Sequence, residues 1–519
     1  MITHRRTAAS SLGLLPVFAL ACGDPGGTGE PTASVDRVAS RLSEIRPTDG
    51  TGANGNGYGI PAKFYDPPGG HFRVFYVETG ENAVDLTDEA PKNGVPDFVE
   101  LVGRSAEATY DSTITRRGFR PPLDDSIYHD RPDYGGDGRF DIYLRIAGSG
   151  SDGYRVSEVC TDGTPATLGG TPGRCSGYFV MNPGYKTSHY PSEKDGVEVL
   201  TSHELFHNIQ DAYNAGQWRT FTEGTAVWNE LQVFPDSPGT WGDYLGFLPA
   251  FFREPERPFD QSMGSGGAAT YAYGTAVWVE YLSERHGPDT IRQIWERLEQ
   301  KEVSVVPHFL DATEEILRQH GTTLRDAWIE FSRWNLLTRE RASLATAGSG
   351  YRRAAEYPSV RFETELTQPD SRTSLAFYGL SARYFRLRPA TGSTVYVSLS
   401  DPLGKEASAL AGLVVGGDGR PSAGAPLQPL TPDHGVTLQS GESLLVVVTS
   451  AQRGAKARSV ELALSTTPPT TDPPPAMMSA GCALSPTAPV PAGPWLALWP
   501  GLLLLRARRR AVRAGRQAC

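Results

Sequence analysis

The sequence of 519 residues predicts an α+β fold in which a mixed α/β segment, a largely helical segment and an all-β segment follow one another. Three observations carry that expectation. Strand-like and helix-like stretches alternate from about residue 70 to residue 145, and apolar residues then recur at helical spacing from residue 197 to about 337. Beyond residue 350 the hydrophobic period changes to two, between turns rich in Gly, Pro and Asp.

At the N-terminus, His4, Arg5 and Arg6 precede an apolar run that closes on Ala19-Leu20-Ala21-Cys22. A basic start, a short apolar stretch and small residues at a cut site make residues 1–21 an export signal, since the run is shorter than the ~20 residues that cross a bilayer. Cys22 is then either a lipid-bearing residue or the first residue after an A-x-A cut. Residues 22–57 are rich in Gly, Pro, Thr and Ser and read as a linker or short pro-region, interrupted by helical spacing at Val35, Val38, Leu42 and Ile45.

Residues 58–345 form the main predicted domain. HFRVFYVETG alternates as a strand, DEAPKNGVPDFVELV leads from a turn into a helix with Pro96 near its start, and DYGGDGRFDIYLRI is a Gly-rich turn feeding a second strand. Asp88, Asn93 and Asp97, or Asp133, Asp137 and Asp141, offer oxygens to calcium (Ca2+), but neither set has EF-hand spacing and turn formation is the simpler role. Cys160 and Cys175 bracket a Gly/Thr/Pro loop. In an exported protein they are expected to form a disulfide, stabilising by ~3 kcal/mol through constraint of a loop of about 15 residues.

The chemistry is concentrated in VEVLTSHELFHNIQDAY, which places His203, Glu204 and His207 in an H-E-x-x-H pattern on a helix. Positions four apart share a helical face, so the two imidazoles converge on one point with Glu204 beside them, which is the geometry of a zinc (Zn2+) site. The pattern alone arises by chance, and a hydrolytic zinc also needs a third protein ligand and an open position for water. Glu223, sixteen residues after His207 in WRTFTEGTAVWNEL, is the expected third ligand, with Gly224 beside it allowing close backbone approach. Glu230 is its rival on the same helical face. Zinc held this way lowers the pKa of its water to about 7, and Glu204 is placed as the general base. Asp211, four residues past His207, either orients a histidine or, more simply, is a solvated surface carboxylate.

At these residues the chain resembles the gluzincin metallopeptidases, and more narrowly a family of extracellular metalloproteases typical of myxobacteria. The shared motifs are HELFH, then Trp218, Glu223, Gly224, Ala226 and Trp228, then YAYG from Tyr271 to Gly274, with the NGVPD turn and GGDGRFDIY strand upstream. The resemblance implies a two-lobed zincin-like catalytic domain, a mixed-sheet lobe followed by a helical lobe, acting on a protein or peptide substrate. It also implies that Tyr271 donates to the developing oxyanion. Val227 stands where thermolysin-like relatives carry an acid four residues after the glutamate ligand, which leaves the outer support of the site open.

Downstream, WGDYLGFLPAFFRE, TIRQIWERLEQ, EEILRQH and LRDAWIEFSRW continue the helical lobe, with Ile291, Ile294 and Leu298 as one stripe. YFRLRP, STVYVSLSD, SLLVVVTSA and SVELALS predict a β-sandwich domain over residues 355–465. Residues 466–480 are a stiff Pro/Thr linker. Residues 481–519 hold Gly481-Cys482, an uncharged run over 488–505, and arginines at 506, 508, 509, 510, 513 and 516. That tail resembles a myxosortase-type sorting tag, which implies processing at Cys482 by a sorting protease; an ordinary tail anchor in the membrane is the alternative. A net charge of −10 without a basic stripe argues against nucleic acid. The expectation is a zinc metalloprotease, secreted or tethered at the cell surface or outer membrane. The alternative is an inactive surface binding or adhesion protein on a peptidase scaffold.

Overall fold

The computed structural model describes residues 46–48, 57–124, 137–148, 150–160, 173–260, 269–299, 309–363, 365–367, 370–389, 391–454 and 456–468. The export signal, Cys22, the helical spacing at 35–45, Asp133, Cys482 and the C-terminal tag lie outside them. The described residues form an α+β protein with one mixed sheet and two antiparallel sheets.

The mixed sheet contains β1 (Lys63–Tyr65), β2 (Phe72–Tyr76), β3 (Phe140–Leu144), β4 (Gly153–Cys160) and β5 (Cys175–Met181), in the order β1-β2-β3-β5-β4. β2, β3 and β5 run parallel, while β1 and β4 are antiparallel edges. Alternation in FRVFY sends Phe72, Val74 and Tyr76 into the main core, where α1 (Asp97–Tyr110) contributes Phe98, Val99 and Val102. Phe75 and Val77 face the other way, into a smaller cluster with Tyr58, Tyr143 and Tyr178. Cys160 and Cys175 pair across β4 and β5 as a disulfide.

The sheet's second face holds two acids, Asp141 and Glu158, and it draws in chain expected to be linker. Arg46 is 1% exposed and donates to Asp141 Oδ2 at 2.5 Å and to Glu158 at 2.7 and 3.0 Å. Buried carboxylates require such a partner, and composition near Arg46 conceals it. Asp141 is thereby occupied by an arginine, and Asp137 lies against Arg73 and Arg139. In the other acidic set, Asp88 accepts from the backbone of Asn93 and Gly94, and Asp97 from that of Glu89 and Ala90, the turn-forming role.

The helical half comprises α2 (Glu193–Asn214), α3 (Arg219–Val233), α4 (Pro238–Arg253), α5 (Ala269–Gly274), α6 (Ala276–His286), α7 (Asp289–Glu299), α8 (Phe309–Gln319) and α9 (Leu324–Leu336). α2 begins where the Ser192 side chain accepts from Asp195 N, and it is buried on every side from Asp195 to Asn214. It lies between the mixed sheet, which it meets at β4 and β5, and α3. None of the described helices is long and apolar enough to cross a membrane.

Two four-stranded antiparallel sheets follow: β10 (Gln428–Pro429), β9 (Ser408–Val415), β12 (Ser443–Ser450) and β7 (Ser381–Leu387), then β11 (Val436–Leu438), β8 (Ser393–Ser400), β13 (Arg458–Ser465) and β6 (Ser371–Phe377). Phe385, Val446 and Val448 from the first meet Phe377, Val397 and Leu462 from the second in one core. The opposite face of the first sheet is apolar too. Leu445, Val447 and Tyr384 join the core of the helical half, and Tyr384 Oη donates to Ser332 O on α9 at 2.9 Å. The sandwich and the helices therefore share a core.

Candidate metal centre

α2 and α3 bring His203, His207 and Glu223 to one point. His203 Nε2 and His207 Nε2 are 3.1 Å apart, and Glu223 Oε2 lies 3.4 and 3.3 Å from them. Donors placed tetrahedrally about 2.0–2.1 Å from a zinc ion are about 3.3–3.4 Å apart, so the triangle has zinc dimensions. These three form the one group of metal-ligating side chains of this kind among the described residues. All are at most 6% exposed.

The tautomers follow from the outer hydrogen bonds. The Gln210 amide nitrogen donates to Thr222 O at 2.8 Å and Thr225 Oγ1 at 3.0 Å, so Gln210 Oε1 is left to accept from His207 Nδ1 at 2.9 Å. A neutral His207 thus carries its proton on Nδ1 and its lone pair on Nε2, facing the triangle. His203 Nδ1 lies 2.7 Å from Glu230 Oε1, which gives the same result when Glu230 is ionised. Burial pushes the Glu230 carboxyl up to about 7, against the pull of the His203 hydrogen bond. Burial also acts to raise the Glu223 carboxyl, but His207, His203 and Arg219 outweigh it and hold Glu223 well below the usual carboxylate range. Arg219, one turn earlier, donates to Glu223 Oε1 at 3.1 and 3.2 Å, while Oε2 lies toward the two imidazoles.

One expectation for the surroundings changes. Asp211 is not a solvated surface carboxylate: it is 1% exposed, with its Oδ2 2.5 Å from Ser157 Oγ and 3.4 Å from Arg155 on β4. The orienting residue on α2 is Gln210, three positions past His207, because i and i+3 also share a helical face. Glu230 sits behind His203, at hydrogen-bond distance from its Nδ1, and it is Glu223 that joins the two histidines in the triangle. Gly224 does serve close approach: a Cβ there would lie 2.6 Å from Thr275 Oγ1 and 3.3 Å from Ala276 N, where α6 begins.

Glu204 is fully buried on α2, between the histidines in sequence. Gly153, which opens β4, would place a Cβ 3.5 Å from Glu204 Cγ, so the edge strand passes directly over the proposed base. Tyr271 packs against Phe251 at 5.3 Å with the Arg257 guanidinium 5.0 Å from its ring centre. The aromatic ring that lies over a histidine of the triangle is Tyr273, 5.8 Å from His203 at an interplanar angle of 28°, and Phe247 stacks on its far side at 4.7 Å.

No known protein family matches the chain, and no curated protein matches it. Among solved structures, 20% of the chain aligns with 98% of PliG, a periplasmic lysozyme inhibitor of g-type lysozyme from Salmonella Typhimurium. The identity is 13% and the TM-score 0.15, a likeness that bears on neither fold nor function.

Proposed function

We propose that the protein is an exported zinc metallopeptidase of zincin-like architecture, tethered at the cell surface or released from it, hydrolysing peptide bonds. The observation that carries this reading is the triangle of two imidazole nitrogens and one carboxylate oxygen at 3.1–3.4 Å, with both Nδ1 atoms taken up by acceptors behind it. Zinc bound there supplies a Lewis acid and a water of lowered pKa. Glu204 accepts the proton of the attacking water on its carboxylate and passes it to the departing amide nitrogen. Gln210 and Glu230 hold the imidazoles in place, and the edge of β4 offers backbone groups to an extended peptide.

The oxyanion donor is Tyr271 by resemblance alone. Tyr271→Phe then lowers kcat by a factor on the order of 10² with little change in KM; an unchanged kcat removes Tyr271 from the mechanism. The reading as a whole is tested by zinc content and casein cleavage, with and without chelator, for wild type and Glu204→Gln. It predicts about one zinc per chain in both proteins and chelator-sensitive cleavage in wild type only. Bound zinc with no cleavage under any condition favours a surface binding protein on this scaffold instead.

A further inference from the structure

Beside the metal centre lies a second group of ionisable side chains that the proposed hydrolysis does not use. Asp152 immediately precedes Gly153, so it stands one residue from the point where β4 crosses Glu204. Asp243 lies on α4 one turn before Phe247, the ring that stacks on Tyr273 over His203. Between the two carboxylates sits His189, with Nδ1 3.9 Å from Asp152 Oδ2 and Nε2 4.0 Å from Asp243 Oδ1. Both separations are too long for hydrogen bonds.

Asp243 is the telling residue. Its side chain is 9% exposed, and its carboxylate makes no hydrogen bond among the described residues. Burying such a group without donors is costly, and fixed cations normally answer the cost. Asp152 is little better served, by Tyr190 Oη at 3.5 Å and Asn182 Nδ2 at 3.4 Å. Burial holds both carboxyls above their usual range, as expected of acids that lack a fixed cationic neighbour. His189 itself is 39% exposed, with its ring 4.1 Å from the ring centre of Tyr190.

Resting on the peptidase reading for the position of the scissile bond, we infer that Asp152 and Asp243 form a recess that selects an arginine side chain of the substrate close to that bond. The two carboxylates face two nitrogen-bearing edges of one planar ring. A planar guanidinium presents donors on separate edges in the same way, whereas an ammonium is a point charge and a divalent ion needs its oxygens to converge. On entry the guanidinium takes the place of the His189 ring and gives each acid the partner it lacks.

The test uses the full-length, zinc-loaded Glu204→Gln protein, so that binding is read without cleavage. Fluorescently labelled, N-acetylated peptides of one sequence carry a single arginine at successive positions, each matched by a peptide with neutral, isosteric citrulline, and anisotropy gives the affinities. At one position arginine is expected to bind at least about tenfold tighter than citrulline, the scale of a desolvated charge pair. Adding Asp152→Asn or Asp243→Asn should reduce that ratio below about threefold while leaving the citrulline peptides unaffected. Asp152, the more exposed acid, keeps the test open if the Asp243 variant does not fold. No arginine preference at any position, or a preference that survives both substitutions, overturns the recess. A preference seen only with a free N-terminus assigns the recess to a terminal amine and overturns the arginine assignment. Wild-type protein that cleaves nothing, with the arginine preference intact, refutes the hydrolytic reading and leaves the recess standing.

Discussion

Removing the acceptor behind His203 should weaken the metal site without touching a ligand. Glu230 Oε1 lies 2.7 Å from His203 Nδ1, and both side chains are almost fully buried, so water does not replace the bond. In Glu230→Ala the Nδ1–H is left unpaired at a cost of about 1–3 kcal/mol. That cost falls on the tautomer that binds metal, because the other tautomer puts the proton on Nε2, where the ligand lone pair must be. Zinc affinity is therefore expected to fall about 10–100-fold, in line with other losses of outer support for a ligating histidine. Glu230→Gln retains an oxygen acceptor and should stay within a few-fold of wild type. Competition against a chromophoric chelator measures both, with circular dichroism to establish that each variant is folded. Wild-type zinc affinity in Glu230→Ala, or an equal loss in the Gln variant, refutes the assignment of Glu230 as the orienting acceptor.

Other consequences follow from the same packing. Glu280 is buried on α6, and burial, with the neighbouring Glu284, pushes it up to about 8 from an ordinary 4.5. A carboxyl raised in the folded state contributes stability below pH 4.5 that is lost as pH rises toward 8, so Glu280→Gln should match wild type near pH 4 and exceed it at pH 9, by no more than about 5 kcal/mol. Urea unfolding at the two pH values measures this, and a pH-independent difference contradicts it. Arg46→Ala strands Asp141 and Glu158 and should cost about 3–5 kcal/mol, much of it recovered when Asp141→Asn and Glu158→Gln are added; additive losses in the triple variant would argue against the ion triad. Gly224→Ala drives a methyl group to within 2.6 Å of Thr275 Oγ1 and 3.3 Å of the Ala276 backbone, so a loss of about 1–3 kcal/mol is expected by thermal unfolding. An unchanged melting temperature would mean that α3 and α6 pack less closely than 2.6 Å implies.

The convergence of His203, His207 and Glu223 was legible because its first two members need only the geometry of one helix. His203 and His207 are four apart, and Glu223 lies on the next helix. The supports were harder to read. Gln210 is a neutral amide whose role appears only once Thr222 and Thr225 occupy its nitrogen, and Asp211 looked exposed until β4 was laid across it. Long-range pairing hid the rest. Arg46 meets acids 95 and 112 residues away, and Asp152 meets the neighbourhood of Asp243 only through the fold. The strands of the sandwich were visible from their period of two. SLLVVVTS departs from that period: the strand is covered on both faces, and Leu445 and Val447 share a core with the helices.

The central claim, that His203, His207 and Glu223 together hold one zinc ion, is tested most directly by anomalous diffraction at the zinc edge. The expected map has a single strong peak bonded to Nε2 of both histidines and to one oxygen of Glu223, with Glu230 behind His203 and outside the coordination shell. Absence of the peak in zinc-loaded protein, or a peak bound elsewhere with Glu223 turned away, would contradict the account.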